Sequence, residues 1–278
     1  MALQSSGRIK LSEIASEFGG STPHSLSEYY GKRSGIPSSG RIRLGADFYS
    51  DGVLSGTYLG QSYQSSGAQN SSFTVNNGSG TSNDLIVICY AHENNNNTTY
   101  AETFTVNGTS ATQAIFSNVG GDVGGQGQSR VGIWYCSPAS NGTIAGDTTL
   151  TIAKTTASVS LSFRSAMSVY RVNNGVSGSV SAGGSQATTS SNTITASNSS
   201  TDNKLIVVAS HMAEGGSHSL STTNGTLTQH DLINSGSNNG DGQSGFITGC
   251  TGTNSVTLTR VSGTSAGGRD AIVTAVFY

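Results

Sequence analysis

Of the chain's 278 residues, 38 are glycine and only 10% are charged, for a net charge of -2; ordinary soluble domains carry about 7% glycine and about 25% charged residues. Such a balance excludes a basic nucleic-acid binder, and recurring Val, Ile and Thr at low net charge exclude a disordered chain. No window approaches about 18 consecutive apolar residues, which excludes a transmembrane helix, and the opening MALQSSGRIK lacks the apolar core of a secretory signal, so the expectation is a soluble chain made in a cytoplasm.

The first fifty residues hold ten of the 28 charged side chains. Within them Leu11, Ile14, Ala15 and Phe18 recur at helical spacing and predict a short amphipathic helix. Ser12 is a candidate cap for its start, and Gly19 with Gly20 a stop. Ser25 and Glu28 stand in capping-box spacing ahead of a second short helix, with Leu26, Tyr29 and Tyr30 as its apolar side and Gly31 as terminator. The flanking phrases Arg8-Ile9-Lys10-Leu11 and Arg41-Ile42-Arg43-Leu44 alternate basic and apolar residues, the pattern of half-buried strands, each introduced by a Ser-Ser-Gly turn. The segment reads as a small α+β clip. Two helices of about two turns are marginal alone because nucleation is costly. Arg8, Ile9, Leu11, Phe18, Leu26, Tyr29, Tyr30, Ile42, Phe48 and Tyr49 are therefore expected to bury against a partner.

The phrases SSGxIxL, SEIASEFGGSTPHSLSEYYG and GIPSSGRIRLGADFY resemble an N-terminal module that heads structural proteins of tailed bacteriophages, especially marine ones. The resemblance covers roughly residues 1–50. It implies a virion component, assembled in the host cytoplasm, with the module as its attachment to other tail, neck or head proteins; it does not choose among tail, neck and fibre. The symmetry of a virion makes a homo-oligomer, for instance a trimer, an accompanying expectation. A rival reading, a helix-turn-helix followed by Lys32 and Arg33, fails because its second helix is short, carries Tyr29 and Tyr30, and lacks base-reading residues. No nucleic acid and no membrane insertion are expected.

Residues 51–172 and 173–278 repeat one another. Asn83–Glu93 corresponds to Asn203–Glu214, Phe104–Gln113 to Leu220–Gln229, Gly125–Cys136 to Gly240–Cys250, and Ser160–Val172 to Gly267–Tyr278, in the same order; this reads as a tandem duplication. Short β-rich runs separated by Gly, Asn and Ser clusters predict a mainly β chain of two β-sandwiches, of jelly-roll type, behind the N-terminal clip. Leu85–Tyr90 and Leu205–Ala209 are the expected most buried strands. Cys136 lies seven residues after Ser129 but Cys250 six after Ser244, so either one copy carries a bulge or the cysteines are not equivalent.

Cys89, Cys136 and Cys250 are too few and too scattered for disulfides or zinc and read as small buried hydrophobes. His92-Glu93 has no counterpart in the second copy, where Met212 aligns with His92 and His211 with Ala91. His218 and His230 read as loop or strand-end residues. The GQGQS and GDGQS phrases lack the following helix a phosphate loop needs and read as turns. Asn238, Asn239 and Asp241 offer too few carboxylates for calcium. No nucleophile motif such as GxSxG is present. The expectation is a non-enzymatic protein with no catalytic residue, cofactor or metal. Its functional alternatives are a capsid decoration protein or an adhesin for host-surface glycans, the latter through the Glu93–Asn97 run and Tyr100.

Overall fold

The computed structural model describes residues 10–19, 25–30, 39, 54–64, 70–81, 84–94, 101–120, 128–136, 149–156, 163–173, 180–188, 192–199, 204–212, 217–234, 241–261 and 269–277. The chain is mainly β with antiparallel sheets, and it divides into two compact units, Met1–Val53 and Leu54–Tyr278. Among the described residues no helix is long and apolar enough to cross a membrane.

In the first unit α1 (Leu11–Phe18) is followed by a 3-10 turn, Leu26–Tyr29. The helix starts at Leu11, so Ser12 lies inside it and does not cap it; Ile14 N–H already donates to the Lys10 carbonyl, 3.2 Å. Gly19, at φ 72°, supplies the left-handed stop that a side chain would resist. The capping box forms as spaced: Glu28 Oε1 accepts from Ser25 N–H at 2.8 Å, and the Ser25 hydroxyl covers the turn's free amides. The first expected strand is corrected at its end, because Lys10 is irregular and Leu11 is helical. Arg8, Ile9, Arg41–Leu44, Phe48 and Tyr49 lie outside the described residues.

The second unit begins with β1 (Ser55–Gln64), β2 (Ser71–Asn76), β3 (Leu85–Asn94), β4 (Glu102–Val106), β5 (Thr109–Ser110), β6 (Thr112–Gly120), β7 (Gln128–Cys136), β8 (Thr149–Thr156) and β9 (Phe163–Asn173). They pair as a five-stranded sheet, β1-β9-β3-β7-β6, and a smaller sheet, β2-β8-β4-β5. The first strand pairs with the last and the second with the second-last, a jelly-roll-like order in which the chain leaves β5 after two residues to join β7 as β6. Asn107 (φ 49°) and Gly108 (φ 81°) make the β4–β5 hairpin turn, the Asn-Gly pair that tolerates two left-handed residues.

Then come β10 (Val180–Thr188), β11 (Thr193–Asn198), β12 (Leu205–Met212), β13 (His218–Thr222), β14 (Thr226–Asn234), β15 (Asp241–Thr248), β16 (Asn254–Arg260) and β17 (Asp270–Phe277). Their sheets, β10-β17-β12-β15-β14 and β11-β16-β13, repeat the first order strand for strand, with β14 in the place of β5 and β6. The Asp241-Gly242-Gln243-Ser244 run is therefore strand, not turn. Register also decides the cysteine question. Cys136 faces Ile86 and Ile247 faces Ile206, the equivalent residue, so Cys250 is not the counterpart of Cys136.

Four sheets stack through three cores. Ile86, Ile88 and Tyr90 on one face of β3 meet Phe104, Val106, Leu150 and Ile152 of the small sheet, while Ile206, Val208, Val256 and Leu258 do the same in the second half. The other face of β3, Leu85, Val87 and Cys89, packs on Leu205, Val207, Ala209, Val273, Ala275 and Phe277 of the second half. The two five-stranded sheets thus form a central seam, and β3, β12 and β17 are buried on both faces. This explains why the runs Leu85–Tyr90 and Leu205–Ala209 are continuously apolar, where a one-sided antiparallel strand would alternate. Fully burying each such Val, Leu or Ile is worth about 1.5–3 kcal/mol. In the seam β6 lies against β10 and β14 against β1, with β3 against β12. Because β14 corresponds to β6 and β10 to β1, equivalent strands contact in exchange, the pattern of a two-fold interface built within one chain.

Candidate functional site

The residues expected to anchor the chain are placed as far as they are described. Tyr29 and Ile14 are fully buried, Phe18 meets Tyr29 edge-on at 6.5 Å, and Leu11, Leu26 and Tyr30 are half-buried. Burial and the neighbouring Glu28 charge raise the Tyr29 phenol above its ordinary value.

One end of the second unit, where β3, β8, β12 and β16 finish and β7, β9, β15 and β17 begin, gathers much of its buried charge; at the other end Arg171 Nε lies 3.8 Å from Asp84 Oδ2. In the first half His92 faces inward from β3, Glu102 from the start of β4, Arg130 from β7 and Lys154 from β8, each less than a tenth exposed. Glu102 joins them: its Oε2 lies 3.3 Å from Arg130 and its Oε1 3.5 Å from His92 Nδ1. The Arg130 guanidinium also covers the Phe116 ring at 4.8 Å, and Lys154 Nζ lies 5.5 Å from the Tyr90 ring centre. Burial pushes the Glu102 carboxyl up to about 7, against the downward pull of Arg130 and Lys154. Burial likewise lowers Lys154, and burial with the Lys154 and Arg130 charges holds His92 well below the ordinary histidine range. The carboxylate that His92 meets is Glu102, ten residues on.

The second half closes the same end with other residues. Arg260 at the end of β16 holds Asp270 at the start of β17, its Nη2 2.8 Å from Oδ1 and 3.0 Å from Oδ2. Gln243 Nε2 donates to the His218 carbonyl at 3.1 Å, and the Ser210 hydroxyl donates to the Gln243 carbonyl at 3.1 Å. His218 begins β13 and is buried; His230 lies in the middle of β14, which corrects its reading as a strand-end residue.

Between the halves runs a line of hydroxyls and imidazoles. Ser129 Oγ on β7 is 2.5 Å from His211 Nδ1 on β12, both fully buried. The Tyr170 hydroxyl meets Ser244 Oγ at 2.7 Å and His230 Nδ1 at 3.2 Å; Ser168 Oγ also meets Ser244 Oγ, at 2.7 Å. Tyr58 stacks on His230 with centroids 4.0 Å apart. Burial raises the Tyr170 phenol and the Cys89 thiol and drives His211 down to about 3, the latter helped by His92, His218 and Arg269. Ser129 and His211 have the spacing of a nucleophile with its base, yet they sit inside the seam where a substrate cannot arrive unless the sheets part. This line pairs polar atoms between two sheets, while His211 Nε2 meets no hydrogen-bond partner among the described residues. Among the described residues no three His, Cys, Asp or Glu side chains are grouped to hold a metal ion.

None of these groupings was legible as a site in the sequence, because each joins strands from distant positions. The one available signal was the matching of His92 with Met212 and His211 with Ala91, which strand register upholds; it places the two histidines on opposite faces of equivalent strands. No family model, curated protein or solved structure matches the chain.

Proposed function

We propose that this chain is a structural protein of a tailed-bacteriophage particle, an appendage of tail, neck or fibre type, attached through its N-terminal unit and carrying the double sandwich. The observation that carries the reading is a coincidence of boundaries: the phage-like phrases end at Tyr49, and the compact first unit ends at Val53. That unit has an amphipathic helix and a capped turn whose Leu11, Phe18, Leu26 and Tyr30 remain only half-buried within it, so apolar surface is left to cover a partner. Among the described residues of the second unit, His92, Glu102, Arg130, Lys154, His211 and Asp270 are turned inward, which favours an architectural role over a catalytic one.

The test is removal of residues 1–53 in particles that otherwise assemble normally. The expected result is a folded, soluble β unit missing from purified particles. Retention of the truncated chain at its normal copy number would overturn the attachment role.

A further inference from the structure

The seam is two-fold in its strands but not in its side chains. Val87 and Cys89 on β3 correspond to Val207 and Ala209 on β12, so their β9 neighbours Tyr170 and Ser168 correspond to Ala275 and Val273 on β17. On the other flank Ile133 of β7 corresponds to Ser244 of β15, and Ile115 of β6 to His230 of β14. Across the seam β9 meets β14, and β17 meets β6 and β7. One flank therefore sets Tyr170 and Ser168 against Ser244 and His230. There the Tyr170 hydroxyl meets Ser244 Oγ at 2.7 Å and His230 Nδ1 at 3.2 Å, and Ser168 Oγ meets Ser244 Oγ at 2.7 Å. The equivalent flank carries Val273, Ala275, Ile133 and Ile115 and is wholly apolar at these positions.

Size follows the same division. On one flank the large residue, Tyr170, belongs to the first half and the small one, Ser244, to the second. On its equivalent the larger residue, Ile133, again belongs to the first half and the small one, Ala275, to the second. All four are fully buried. In a two-fold pair of first halves Tyr170 would meet Ile133 twice. Each contact would be overpacked, and the Tyr170 hydroxyl would lose both of its seam partners to an aliphatic side chain. In a pair of second halves Ala275 would meet Ser244 twice, which leaves a hole on each flank and strips Ser244 of Tyr170 and Ser168.

We propose that the seam is a joint for unlike halves only: the seam face of the first half accepts the seam face of the second and rejects its own kind, with Tyr170, Ser244, Ile133 and Ala275 setting the rule. Specificity of this sort comes from the misfit of the wrong pair as much as from the fit of the right one. It keeps a duplicated chain from being captured by like halves of neighbouring copies.

The test begins from the intact chain with a protease site placed within residues 174–179, between β9 and β10. The folded protein is cut there and prepared at natural and at heavy isotopic mass. The two preparations are mixed, unfolded in urea, refolded together and weighed as complexes by native mass spectrometry. Leaving one buried hydroxyl unpaired shifts an equilibrium by about tenfold or more. The expected result is unlike pairs in every heavy and light combination, with like pairs rarer by about that factor or more. Like pairs as abundant as unlike ones would overturn the proposal.

The uncut chain supplies a second reading, which decides the matter should the cut chain not refold. Ala275→Tyr sets a second large residue against Ile133 and is expected to lower the melting temperature or prevent folding. Adding Ile133→Ser, which repeats the Tyr170 and Ser244 pair on the other flank, is expected to recover stability. A double variant no more stable than Ala275→Tyr alone would show that these residues do not set the rule.

Discussion

The two halves of the β unit share a strand order and differ in what they bury at the same end. The first gathers Glu102 with His92, Arg130 and Lys154; the second pairs Arg260 with Asp270 and also buries Arg269 and His218. The strand path does not require particular polar residues. It requires that whatever charge the closing strands carry inward is compensated close by, since an uncompensated buried charge costs far more than a pair gains.

Breaking each cluster at its carboxylate is the strongest way to separate them. Above pH 7, where the Glu102 carboxyl is ionised, Glu102→Ala is expected to lower unfolding free energy by about 3–5 kcal/mol, because Arg130 and Lys154 lose the carboxylate that attracts both. Asp270→Ala should cost less, since the described ion pair that it breaks has a single cation, Arg260. Urea unfolding of both variants, compared by midpoint, checks the order; an equal or larger loss at Asp270 would contradict it.

The matching Asn-Gly turns sharpen the comparison at smaller amplitude. Gly108 and Gly225 both have left-handed φ, 81° and 82°. A Cβ on Gly108 would meet nothing, whereas one on Gly225 would lie 2.7 Å from the Thr248 carbonyl oxygen and 2.9 Å from Cys250 Sγ. Gly108→Ala should cost about 1 kcal/mol, the conformational penalty alone, and Gly225→Ala about 1–3 kcal/mol more for overpacking against backbone. Thermal melts of the two variants would expose an error in either figure.

The subtlest contrast is in pH dependence, where the halves have opposite signs. Glu102, raised from 4.5 to about 7, contributes stability that is complete below 4.5 and is lost as pH rises through 7. His211, lowered from 6.5 to about 3, contributes stability that is complete above 6.5 and is lost as pH falls. Each group changes stability by about 1.4 kcal/mol per pH unit inside its window. Glu102→Gln should flatten the stability profile between pH 4.5 and 7, and His211→Gln the acid limb below 6.5, when unfolding free energy is measured across the range.

Much of this architecture was written locally. The capping box at Ser25 and Glu28, the stop at Gly19 and the Asn107-Gly108 hairpin follow from backbone requirements of a few consecutive residues, so composition alone places them. The apolar runs of β3 and β12 also announced themselves as buried, and their lack of alternation carried the further message that both faces are covered. What covers the second face was not legible. An apolar face fits any apolar face, and only the folded chain pairs Val87 and Cys89 with Val207 and Ala209 instead of with another molecule. Glu102 with His92, and Ser129 with His211, are joined for the same reason across gaps of ten and 82 residues. By itself the sequence determined the strands, their turns, the repeated order of its motifs and the different character of its first fifty residues, because these depend on periodicity and local sterics. The tertiary structure alone decided that the two sandwiches share a seam and which buried charges meet, because those outcomes depend on which surfaces exclude water together.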